Sequence, residues 1–272
     1  MCCAWGFNAS HVPIPIKAIG FLDEIHFSRE IRSLEAQIEA GHEASLTDTD
    51  LARILFLTEM CWASDIIGCG VEFNIIFGPN DASAIGVLRG LQRKLSNPLR
   101  ARMVFSGFAV PRPTPRHRAP LSAPPQLLVH PPPNGHPPRG TRRGSPLTTD
   151  ERSLIWHALA LWDGQISAKP IPIKVFGFSD WTQLDATTQQ LRDAVADSHN
   201  GDMRGISDLD RGRMQLLTEL AWGSDLIGAG LGFSQMTGIS DRTATGLVRR
   251  IQRKLCGCAV CDELLPGHSR RL

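Results

Sequence analysis

In residues 241–255 the apolar side chains Ala244, Leu247, Val248, Ile251 and Leu255 recur at a spacing that places them on one side of an α-helix. The same pattern stands 160 positions earlier, at Ala84, Val87, Leu88, Leu91 and Leu95, so helices are expected from Asp81 and from Asp241. A third amphipathic run, Leu51, Ile54, Leu55, Thr58, Cys61 and Trp62, predicts a helix entered through Asp48-Thr-Asp50, with Asp208-Leu-Asp210 opening its later counterpart. Acids favour a helix N-terminus. Glycine tolerates the left-handed backbone of a helix stop, so Gly68 and Gly70, and Gly228 and Gly230, are expected to end these two helices. Polar helices are expected around 23–40 and 180–197, and a capped one over 149–162. Ile14 and Ile16, like Ile171 and Ile173, alternate with prolines in Pro-Ile-Pro-Ile-Lys, which predicts a short extended piece at a sheet edge or outside any strand. The fold expected is mainly α.

These recurrences belong to one internal repeat. Thr58-Glu-Met-Cys-Trp-Ala-Ser-Asp matches Thr218-Glu-Leu-Ala-Trp-Gly-Ser-Asp, and residues 58–95 share 18 of 38 positions with 218–255 without a gap. Upstream the offset shifts by three, so that Pro13-Ile-Pro-Ile-Lys17 aligns with Pro170-Ile-Pro-Ile-Lys174 and Trp5 with Trp162. Met1 then falls inside the equivalent of the 149–162 helix. The first copy is expected to lack a piece, or to start further upstream, and to be the less stable of the two.

Four segments are expected: copy 1 over 1–96, a Pro/Arg-rich linker over 97–148, copy 2 over 149–256 and a cysteine-containing tail over 257–272. Residues 97–149 hold 13 of the 19 prolines, which disfavours helix and central strand and predicts an extended or disordered tether.

The length of 272 residues is enough for two domains, each with its own core. No run of eighteen apolar residues exists to form a membrane helix, and the first residues do not read as a secretory signal. Seven unevenly spaced cysteines suit a reduced, cytoplasmic protein better than a disulfide framework. The net charge of +2 conceals an uneven distribution: −5 over 1–96, +8 over 97–149 and −1 over 150–272. The middle segment contains eight arginines and no acid.

Phe233-Ser234, a turn at Gly238, then Ile239-Ser240 and a helix with Ala244 and Leu247 in its core form a pattern of about twenty residues. It resembles the helix-turn-helix of bacterial transcription regulators. Copy 1 keeps Phe73 and Gly78 but has Pro79 and Asn80 where Ile239 and Ser240 stand. The resemblance implies a regulator that binds double-stranded DNA, with the last helix of each copy as the reader. Its outward stripe would be Arg242, Gly246, Arg249 and Arg253, flanked by Thr243, Thr245 and Arg250. In copy 1 the stripe is Ala82, Gly86, Arg89 and Arg93, with Lys94 beside it. Copy 2 would read more strongly, and the two copies could meet two half-sites as a dimer does, with self-association a further option. A basic helix face is also an ordinary solvated face. The other reading is therefore a non-enzymatic tandem protein-interaction or scaffold module.

The repeated Thr-Glu-x-x-Trp-x-Ser-Asp carries two carboxylates, but residues six apart on a helix point about 120° away from each other and do not converge for acid–base work. Asp65 and Asp225 fall on the apolar side, where each needs an arginine or the amides of the next helix start as partner. No nucleophile–His–acid set or phosphate loop is legible, and a non-enzymatic protein is expected. Trp62 and Trp222 are expected in the core. Cys256, Cys258, Cys261 and His268 offer the ligand types of a structural zinc, at a spacing that also fits incidental thiols.

Overall fold

The computed structural model describes residues 16–105, 145–164, 166, 169, 171–198, 201–203 and 205–255. Among them ten α-helices and no strand occur. In copy 1 these are α1 (Glu24–Glu39), α2 (Asp48–Ala63), the short α3 (Phe73–Phe77) and α4 (Asp81–Leu95), followed directly by α5 (Pro98–Phe105). Copy 2 contributes α6 (Thr149–Asp163), α7 (Trp181–Asp197), α8 (Asp208–Gly223), the short α9 (Phe233–Thr237) and α10 (Asp241–Leu255).

The caps explain where the helices begin. Thr47 accepts the Asp50 amide and Asp50 reaches back to the Thr47 amide, a reciprocal capping box. The cap of α2 is therefore Thr47, with the acids in its first turn, and Ser207 holds the same position before α8. Both helices stop at Ala63 and Gly223, short of the glycines expected to end them. The reason is a serine: Ser64 Oγ accepts the amides of Ile66 and Ile67 and so bends the chain away. Gly68 is needed for a different purpose. A Cβ there would lie 2.0 Å from the Met60 carbonyl oxygen.

Two expectations change. Where the Pro-Ile-Pro-Ile-Lys segments are described, at Ile16–Lys17 and 171–174, the chain turns instead of extending: Ile16–Ile19 is a 3-10 helix, and in copy 2 the Phe176 amide donates to Ile173 O. Ile171 and Ile173 are fully buried there. The expected linker begins with a helix, α5. Its one proline occupies the first helical position, where a missing N–H costs nothing, and Ala101, Val104 and Phe105 give it a buried face. Phe105 packs edge-on against Phe56 of α2. Residues 106–144 lie outside the described residues.

The two copies do not bury separate cores. One continuous apolar cluster runs through both. It is joined where α2 crosses α8, with the rings of Trp62 and Trp222 4.7 Å apart. At this crossing Ala63 meets its own repeat counterpart, Gly223, so closely that a Cβ on Gly223 would lie 2.2 Å from that of Ala63. The fold thus has an approximate two-fold relation, with equivalent residues facing one another.

Candidate functional site

Around that crossing lie two buried polar clusters, each built from both copies. Glu219 on α8 is fully buried and points across to copy 1. It accepts from Ser64 Oγ (2.6 Å), the Asp65 amide (3.2 Å), Gln215 Nε2 (2.8 Å) and Gln252 Nε2 (2.9 Å). Glu59 on α2 does the same in the other direction. It accepts from Ser224 Oγ (2.6 Å), the Asp225 amide (2.7 Å) and Gln92 Nε2 (2.8 Å). Copy 1 has Leu55 where copy 2 has Gln215, so Glu59 lacks the fourth donor. Burial pushes both carboxyls up to about 7, further helped by the neighbouring Asp225 or Asp65, while the donors pull the other way.

Arginines close each cluster. Arg249 on α10 donates to Asp81 Oδ1 at the start of α4 (3.0 Å), to the Trp62 carbonyl (2.9 Å) and to Gln252 Oε1 (2.9 Å). Arg89 on α4 donates to Asp241 Oδ1 at the start of α10 (2.7 Å), to the Trp222 carbonyl (3.3 Å) and to Gln92 Oε1 (2.6 Å). Both glutamines also donate across, Gln92 to Gly223 O and Gln252 to Ala63 O, each at 2.8 Å. Each copy therefore contributes a chain of Asp, Arg, Gln, Glu, Ser and Asp positions that interlocks with the other. Breaking one member of such a network leaves a buried charge or donor unpaired, the costly case.

Asp65 and Asp225 follow the expectation that the next helix start would supply their partners: they accept the amides of Val71 (3.1 Å) and Leu231 (2.9 Å), at the 3-10 turns Gly70–Glu72 and Gly230–Gly232. Trp62 and Trp222 are core residues, as expected.

The arginine stripe is divided. Arg89 and Arg249 are only 5% and 4% exposed, so the expectation of an outward stripe fails at both. Thr245 is also buried, its hydroxyl donating to Asp241 O. Arg250 is half-buried on Glu151, and the Thr243 amide donates to Ser240 Oγ at the helix start. Arg242, Arg253, Arg93 and Lys94 are exposed. Each long helix meets the other's first residue near its own middle, so α4 and α10 lie antiparallel and side by side. Readers of two half-sites sit about 34 Å apart, which is a different arrangement.

The glutamate–serine and arginine–aspartate pairings between copies were not read from the sequence. A signal for them was present: Glu, Ser, Asp, Arg and Gln are identical in both copies at positions where solvated faces are free to differ. Cys256, Cys258, Cys261 and His268 lie outside the described residues. No helix among the described residues is long and apolar enough to cross a membrane. No protein-family model, curated protein or solved structure matches the chain.

Proposed function

We propose that the chain is a non-enzymatic interaction module: two copies locked into one body, with a helix-docking face on copy 1. The observation that carries this reading is an asymmetry. In copy 2, α6 lies along α10, where Leu247 is 1% exposed and Lys254 donates to Glu151 Oε2 at 2.6 Å. The same positions on α4 are Val87, 57% exposed, and Lys94, also exposed. The partner that suits this face is an amphipathic helix with an acid in its first turn, as α6 has Glu151.

A peptide of residues 145–164 serves as the probe. It should bind the full chain, and Val87→Glu should weaken binding by about tenfold or more. Lys94→Glu should weaken it too, and a Glu151→Lys peptide should restore binding to that variant. Equal affinity of the peptide for all three chains would overturn the docking face.

A second reading, a DNA-binding regulator, retains the support of Arg242 and Arg253 on the outer face of α10 and of the eight arginines over 97–149. In this reading the contacts are to phosphates, without two separated half-sites. Duplex-DNA binding by the full chain should weaken steeply with salt and fall in Arg242→Glu/Arg253→Glu. These positions lie outside the buried clusters, so the variant keeps its fold. Absence of binding at low salt removes this reading.

A further inference from the structure

Copy 1 carries two thiols that copy 2 lacks. Cys61, fully buried near the end of α2, and Cys69, partly exposed in the following loop, have their sulfurs 3.7 Å apart. Their backbones are already tied together, because the Cys69 amide donates to Cys61 O at 2.9 Å. Copy 2 repeats this backbone bond between Ala229 and Ala221 at 2.8 Å, with alanines where the thiols stand. The fold therefore builds this close approach without sulfur, and copy 1 places a reactive pair on it. We infer that Cys61 and Cys69 form a dithiol site that is oxidised to an intramolecular disulfide by small-molecule disulfides.

The two thiols have separate parts. Cys69 is the accessible one, and the S–H it accepts from Cys61 holds its thiol below the ordinary range, against the opposing effects of burial, Glu72 and Asp65. Its thiolate attacks one sulfur of the incoming disulfide, which expels the first small thiol and leaves a mixed disulfide. Cys61 then loses its proton and attacks the Cys69 sulfur, forming the Cys61–Cys69 bond and expelling the second small thiol. Two cysteines are oxidised and one small disulfide is reduced to two thiols. A shift of less than 2 Å brings the sulfurs from contact to the bonding distance of about 2.05 Å. The bond would fasten the loop that carries Ser64 and Asp65, the donors to Glu219 that come from copy 1, onto the end of α2.

The test uses the full chain treated with oxidised glutathione, quenched in acid, alkylated and digested with trypsin. Both cysteines fall in one peptide, Ile54–Arg89, so the expected product is that peptide two hydrogens lighter and carrying no alkyl group. Cys61→Ala should instead stop at a glutathione adduct on Cys69. Alanine stands at both equivalent positions of copy 2, so the variant fits the fold. Two alkylated cysteines in the wild-type peptide, or a persistent glutathione adduct on Cys69, would overturn the site.

Discussion

Glu59 and Glu219 titrate at about 7 in the folded chain and near 4.5 when exposed, so between those values the folded state binds more protons than the unfolded one. By linkage their contribution to stability is complete at and below the lower value and is lost as pH rises through about 7. At about 1.4 kcal/mol per pKa unit, each carboxyl accounts for a loss on the order of 3 kcal/mol across that window. Urea unfolding should therefore have a higher midpoint at about pH 5 than at about pH 8, the reverse of the usual carboxylate dependence. Glu59→Gln/Glu219→Gln, which fixes the neutral form, should flatten the difference. The same slope in that variant would place its origin elsewhere. Residue types were legible from the sequence here, and their partners were not. Helical periodicity separates an inward from an outward face, but it cannot register that a second copy lies against the outward one. Arg249 reads as solvated for that reason, although Asp81 and Trp62 surround it.

At the scale of elements, the long helices were legible because their periodicity and caps agree: α4 and α10 both start at the expected aspartate. Their ends were less so. Glycine was expected to stop α2, and Ser64 stops it earlier by taking two amides onto one hydroxyl. The helix α5 was hidden by averaging, since eight helical residues with one terminal proline head a segment otherwise dense in proline. The docking face on α4 is likewise a property of elements. The exposure behind that proposal arises because α6 covers α10, while the described part of copy 1 has no helix that covers α4 in the same way.

For the whole molecule, the interface has the logic of a symmetric dimer contained in one chain. Copy 2 carries every position that the interlock needs: Glu219, Ser224, Asp225, Asp241, Arg249 and Gln252. Residues 145–255 alone should consequently form a homodimer through the same surface, with Gly223 against Gly223 at the crossing. Light scattering after gel filtration should report twice the fragment mass. Gly223→Ala should shift the fragment to monomer, since two methyl groups would then compete for a space that holds one. A monomeric wild-type fragment would mean that the two-fold relation does not suffice for pairing.

The contact between Ala63 and Gly223 has one more consequence. In a dimer of identical chains the residue on the axis meets itself, so it must be small on both sides or on neither. A fused chain is free of that rule, and here one half carries a methyl group that the other half accommodates by having none. The first half is thereby fitted to a partner unlike itself. Separated into two products, the second half would still be free to pair with itself, whereas the first would meet its own methyl group at Ala63 and so would depend on the second as its partner.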